Sequence, residues 1–455
     1  MELDAVLLSR LQFGFTLAFH ILFPTFTIGL AGFLVMMHGA WLATGAEAYL
    51  RLYRFWLKLF ALGFGMGVVS GIVLAFEFGM NFNGFSAATA NVIGPLMGYE
   101  VLMAFFLEAS FLPIMLFGWG RVGPRLQFFA TLMVSLGTML SAFWILAANS
   151  WMQTPSGFEL RNGLFHPLDW WAVVFNPSFP YRLAHMLMAS LLTGAFLIAG
   201  VSAWHLRRRL HTELAARALR LAVVSAAIFA PTQILLGDLH GLNTLRHQPV
   251  KVAAMEALWE TRANVPFVVF ALPDQTNATN RAALEIPRAG SLILTHSWNG
   301  RVQGLDAVAP QDRPPVAVVF FGFRVMLAIG FFLLALAWWG LALWWRGRLD
   351  AADRYHRICL FATPLGFIAV IAGWVTTESG RQPWVVQGLL RTADAATPLP
   401  VGSVASSLTL FLLAYGVLLA AFLVFAYRIA RRGPEHEIPE QIRGAPRTVW
   451  RLRPQ

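Results

Sequence analysis

Two histidines, two glutamates and one methionine stand inside long apolar runs of this 455-residue sequence: His20, Glu100, His185, Met326 and Glu378. Histidine and methionine are the side chains that hold a low-spin haem iron, and methionine raises its potential. A single histidine or a carboxylate can leave an iron five-coordinate, with one face open to oxygen. Each residue alone has a plainer reading: a lone histidine in a span is as often a packing residue, and a lone methionine is usually core filler. Ionisable groups are different, because one at the centre of a bilayer costs about 2.5–3.5 kcal/mol or more and so tends to face a bundle interior and carry function.

The elements that must position these residues are membrane spans. The chain is 57% hydrophobic and 13% charged, with a mean hydropathy of +0.61. A soluble domain of this size needs more charge to cover its surface. Apolar runs near 12–41, 56–79, 94–118, 126–147, 182–206, 217–237, 317–345, 357–377 and 406–428 predict an all-α bundle of about nine transmembrane helices. The first run follows Arg10, lacks a small-residue cleavage site and continues to Trp41, so it reads as a span and not as a signal peptide. The net charge of +11 belongs to arginine clusters between spans, and nucleic-acid binding is discounted. A single cysteine, Cys359, excludes a disulfide and a cysteine-based metal cluster within this chain, and no CxxCH attachment site occurs.

Arginines and lysines after spans 1, 3, 5, 7 and 9 place those connections in the cytoplasm and the N-terminus outside. The expected organisation is spans 1–6 over residues 1–237, a long outer loop over 238–316, spans 7–9 over 317–430 and a solvated cytoplasmic tail over 431–455. The connection Asn81–Asn91 reads as an uncharged loop. In the long loop, Val250–Thr261 has the spacing of a short amphipathic helix lying on the membrane surface. His240, His247 and His296 fall in that loop without metal-site spacing. His205, His211 and His436 read as solvated, His38 as the cap of span 1, and Glu77 as an interfacial residue near a helix end.

At about 1.5 Å per residue, this topology brings His20, Glu100, His185, Met326 and Glu378 to similar depth in the outer half. Arg324 lies beside Met326, and Arg381 follows Glu378. Glu108 lies deeper than Glu100, and eight α-helical residues turn through about 800°, which leaves the pair on neighbouring faces about 80° apart. A water or a partner group would then have to bridge them.

The stretches SRLQFGFTLAFHILFPTFTIGL (9–30), GYEVLMAFFLEASF (98–111), SAFWILAANSWMQTP (141–155), GD (237–238), PDQTN (273–277), FRVM (323–326) and GWVTTESGRQPW (373–384) resemble subunit I of the cytochrome bd-type quinol oxidases, in order and over nearly the whole chain. The resemblance implies that His185 and Met326 hold a low-spin haem b of the b558 type. It implies that His20 and Glu378 serve two high-spin groups, a haem b of the b595 type and a haem d, and it leaves open which residue holds which. Glu100 matches an acid at the oxygen-reducing site and Glu108 one on a proton route. Lys251 and Glu256 match quinol-site residues in the loop, called the Q loop, while Arg324, Arg381 and Trp374 match residues beside the haems. The implied activity is an electrogenic quinol:oxygen oxidoreductase of the bacterial inner membrane that contributes to the proton motive force without pumping. Implied partners are quinol, oxygen, lipid and a second subunit in a heterodimer, with a small single-span subunit as an optional third.

Two features depart from the family pattern. The Q loop is short, as in the cyanide-insensitive group. The family often has Glu where Ala75 stands and Gln where Glu77 stands, so no proton role is carried onto Glu77. The rival classes are a transporter, whose buried carboxylates cluster at the midplane beside broken helices, and a b-type electron-transfer cytochrome without oxygen chemistry.

Overall fold

The computed structural model describes residues 4–435; His436 and the remainder of the expected tail to residue 455 lie outside the described residues, and residues 431–432 end the last helix. Among those described, nine helices are long and apolar enough to cross a membrane. They are α1 (Ala5–Thr44), α2 (Glu47–Asn81), α3 (Asn83–Phe117), α4 (Pro124–Gln153), α5 (Phe179–Arg207), α6 (Thr212–His247), then, beyond a short α7 (Pro249–Met255), α8 (Val316–Trp345), α9 (Asp353–Ser379) and α10 (Val401–Arg432). All nine expected spans are present, each extending beyond its apolar run by up to eleven residues at one end. The extra turns carry polar residues that the apolar pattern does not reveal.

Local chemistry explains the boundaries. Asp4 caps α1 by accepting from the Leu7 amide at 2.6 Å, and Gly45 ends it with a left-handed φ of 68°. Pro124 opens α4 at a position where its missing N–H costs nothing. Thr363–Pro364 interrupts α9, since proline cannot continue the hydrogen-bond ladder.

Helices α1 and α5 form the centre, with 67% and 61% of their apolar windows buried, whereas α10 lies at the edge with 6%. Small residues allow the close approaches that hold helices together in lipid. A Cβ added at Gly29 would lie 2.5 Å from the Ser190 carbonyl oxygen, and one at Gly194 would lie 2.8 Å from Gly29 carbon. Gly366 against Thr193 and Gly340 against Tyr355 tie α9 to α5 and to α8 in the same way.

The arginine-rich connections lie at one end of the bundle, here termed the arginine end, and the long loop lies at the other, the loop end. Several expectations change here. Only Phe82 separates α2 from α3, so the expected Asn81–Asn91 loop is mostly helix, and α3 begins at Asn83. The helix α6 continues to His247, which moves His240 and His247 out of the loop. The remaining loop is built: Phe267–Asp274 pairs with Thr279–Ile286 as a hairpin, and Arg262–Ala263 pairs with Arg301–Val302. The helix expected over Val250–Thr261 is shorter, and α7 buries Lys251, Val252, Ala253 and Ala254 between α6 and α8. It is a packed element, not one lying on a surface.

Candidate functional site

Depth follows from helix crossings. Gly29 of α1 meets Ser190 and Gly194 of α5, and counting back along both helices puts His20 and His185 within about 6 Å of one depth. His20 Nδ1 lies 2.9 Å from Ser70 Oγ, and a Cβ at Gly71 would come within 3.1 Å of the His20 ring. On α6, Gln233 Nε2 lies 3.1 Å from His185 Nε2, and a Cβ at Gly237 would meet the His185 ring at 3.3 Å. On α9, a Cβ at Gly373 would meet Met326 Sδ at 2.9 Å. Each of the three ligand-type side chains therefore lies against a glycine on a neighbouring helix.

Glu378, five residues beyond Gly373, centres a polar network at the loop end. It pairs with Arg381 and accepts from Asn149 Nδ2 at 3.1 Å and Gln153 Nε2 at 3.3 Å. Arg182 donates to Asn149, and Lys251 donates to Gln153 and to Gln248 Oε1, the latter at 2.9 Å. Gln248 in turn donates to Gln153 and to Gln387, each at 3.0 Å. Burial first, and the Arg182 charge next, push the Lys251 ammonium well below its usual range.

A second network joins the loop to α8. Arg324 Nη2 donates to Glu256 Oε2 at 2.6 Å, with side chains 11% and 7% exposed, and its Nε donates to the Val268 carbonyl at 2.7 Å. The guanidinium lies 4.5 Å from the Phe267 ring centre and 4.7 Å from that of Phe320. Removing one partner of so buried a pair costs about 3–5 kcal/mol. Lys251 and Glu256, expected together, thus belong to different networks: one leads to Glu378, the other to Arg324. Trp374 packs among Leu146, Ala147 and Phe179.

The two acids of α3 differ from expectation in depth and in facing. Glu100 is bonded by Ser141 Oγ at 2.8 Å, eight residues along α4 from Asn149, so it lies about 12 Å further from the loop end than Glu378. The five positions are not at one depth. Between Glu100 and Phe105, α3 takes a π-helical turn, with the Phe106 amide bonded to the Val101 carbonyl. Such a turn absorbs one extra residue, so Glu100 and Glu108 are offset by about seven α-helical steps, or roughly 20°, and share a face. Their contacts agree. A Cβ at Gly137 would lie 2.5 Å from Glu108 Cγ, and Gly137 is one turn from Ser141.

Other polar residues also move from their expected roles. Glu77 is fully buried between α1 and α2, accepting from Gln12 Nε2 at 3.0 Å and from Thr16. His240 lies on α6 with its ring 5.5 Å from that of His185. His205 is buried beside Phe55 and Trp204, and His211 Nε2 lies 3.2 Å from the Arg432 carbonyl, so neither is simply solvated. His38 is buried and bonded to Thr131, and does not cap α1. His247 and His296 are exposed. Arg182, Asn149, Gln153, Gln233 and Gln248 were missed by sequence reasoning. Arg182, a charge in the first turn of a span three residues before His185, was the one detectable signal among them.

These residues fit haem. Imidazole, thioether and carboxylate donors are present, and the glycines at 71, 237 and 373 make room for the His20, His185 and Met326 side chains where a Cβ would crowd them. Arg182 Nε, Arg324 Nη1 and Arg381 Nε are buried without a protein partner, three spare cationic donors suited to propionates.

The model of the family described as cytochrome bd terminal oxidase subunit I matches residues 8–434. The chain is 34% identical to cytochrome bd ubiquinol oxidase subunit 1 of Bacillus subtilis, over 96% of this chain and 95% of that one. It is 32% identical to cytochrome bd-II ubiquinol oxidase subunit 1 of Escherichia coli, over 97% and 100%. Its fold is similar to a chain in the solved structure of bd oxidase from Geobacillus thermodenitrificans, with a TM-score of 0.88 and 33% identity over 95% and 99% of the two chains. A multi-pass membrane protein with these buried donors and these relatives belongs to the cytochrome bd terminal oxidase subunit I family.

Proposed function

We propose that this chain is the haem-bearing catalytic subunit of a quinol:oxygen oxidoreductase in a bacterial inner membrane, working beside subunit II as a heterodimer. The observation that carries this reading is the pressing of His20, His185 and Met326 each against a glycine, with spare arginine donors at the loop end. The arginine-rich connections support a cytoplasmic arginine end and a Q loop on the outside.

His185 and Met326 would hold the low-spin b558-type haem; of His20 and Glu378, one holds the b595-type haem and the other haem d. When bound, these groups would supply one-electron transfer from quinol and the reduction of oxygen to water. The protein does the rest. Lys251 and Glu256 exchange their present partners for quinol oxygens, and the quinol protons leave on the loop side. Arg182 and Arg381 balance the Glu378 carboxylate, and with Arg324 they hold propionates, while Trp374 packs beside them. Glu108 receives protons from the arginine end and passes them along one face of α3 to Glu100. Protons are released on one side and consumed from the other, so charge is separated without pumping.

One spectrum tests the reading. The purified complex should show b-type bands and a further red band that shifts with carbon monoxide. A spectrum with b-type bands alone would leave an electron-transfer cytochrome, and one with no haem bands would overturn the reading altogether.

A further inference from the structure

The proton reading of Glu108 needs an entrance at the arginine end, and a buried polar cluster that the haem site does not use lies there. Helix α1 carries His38 eighteen residues beyond His20, about 27 Å away along the axis. His38 Nδ1 lies 3.0 Å from Thr131 Oγ1 on α4, and Tyr53 OH of α2 lies 2.8 Å from the same oxygen. His38, Tyr53 and Thr131 are all fully buried. Tyr53 is the titratable group facing the imidazole, and Trp41, Trp119 and Phe128 surround the rest of the ring.

Thr131 Oγ1 also lies 3.1 Å from the Gln127 carbonyl, so one hydroxyl links His38, Tyr53 and the α4 backbone. His38 Nε2, the other ring nitrogen, is buried and has no protein partner. Trp119 Nε1 and Gln127 Oε1 are likewise buried without protein partners at this end. The Trp119 ring centre lies 5.5 Å from that of His38, and Gln127 Oε1 lies beside Gly118. An imidazole nitrogen, an indole N–H and an amide oxygen, each buried without a protein partner, are the kinds of group that internal water satisfies.

The cluster also points inward. Gln127, Thr131, Ser135 and Thr138 recur at i, i+4, i+8 and i+11 on α4, all buried, forming one polar stripe. From Thr131 to Gly137, where Glu108 packs, is six residues, about 9 Å. We propose that His38, Tyr53 and Thr131, with Trp119 and Gln127, form the entrance of the proton route that feeds Glu108, His38 Nε2 taking up the proton and the hydroxyl stripe of α4 conducting it. This rests on the reading of Glu108 given above.

The test uses the assembled oxidase in liposomes, with oxygen consumption per haem and proton uptake followed by a pH-indicating dye. His38→Leu and Thr131→Val should each slow both rates about tenfold and enlarge the solvent isotope effect, with haem content unchanged. Thr131→Ser, which keeps the hydroxyl, should stay near the wild-type rate, and this comparison decides the matter if His38→Leu does not accumulate. Equal activity of the Ser and Val variants overturns the inference. A slow Glu108→Gln beside a fully active Thr131→Val overturns it alone; wild-type rates in both overturn the proton reading as a whole.

Discussion

Glu100 and Glu108 face the same stripe of α4, Glu100 bonded to Ser141 and Glu108 packed on Gly137, because a π-helical turn lies between them. Their contact points are one turn apart, about 6 Å, which a single water can span. Glu108→Gln should therefore lower oxygen consumption of the purified oxidase at least tenfold while leaving haem content and the low-spin spectrum intact. An oxygen electrode reads this directly, and undiminished turnover would remove Glu108 from the proton route.

Met326 is proposed as the sulfur ligand of the low-spin group. Met326→Leu keeps volume and removes the donor atom, so the low-spin band should give way to a high-spin or lower-potential form. An unchanged spectrum and midpoint in a redox titration would sink that assignment.

Gly373 offers a test that leaves the ligand itself in place. A Cβ there would lie 2.9 Å from Met326 Sδ, so Gly373→Ala should displace the thioether and reproduce the Met326→Leu spectrum. Circular dichroism should show the helices retained. A wild-type spectrum would mean that Met326 need not stand where the glycine allows it.

Lys251 is buried with its ammonium pushed well below the usual value of 10.5, foremost by burial. Between its folded value and 10.5, the unfolded chain binds more protons at this residue than the folded chain, so stability rises with pH across that window. Lys251→Met should flatten that rise in thermal melts. It should also raise KM for quinol several-fold while oxygen reduction fed by an artificial electron donor keeps its kcat. An unchanged KM would argue against Lys251 at the quinol site.

Much of this architecture was legible before any coordinates. Apolar runs gave nine spans, and residue type singled out His20, His185, Met326 and Glu378 as ligand candidates. The network around Glu378 was not legible, because Asn149, Gln153 and Gln248 are neutral residues near helix ends, where polar side chains usually meet water. His240 was misplaced because α6 runs ten residues past its apolar stretch, and helix ends of that kind are set by packing, not by hydropathy. The π turn leaves no mark in composition: Glu100–Phe105 suits an ordinary helix equally well, and only the contacts with Ser141 and Gly137 reveal the phase.

The same helix, α4, touches Tyr53 and His38 through Thr131, Glu108 at Gly137, Glu100 through Ser141, and Glu378 through Asn149 and Gln153. Those contacts make its length a fixed quantity. One residue inserted after Gly137 would swing Ser141, Asn149 and Gln153 by about 100° while leaving Thr131 where it is. An insertion or deletion within α4 would therefore disconnect one end of the protein from the other.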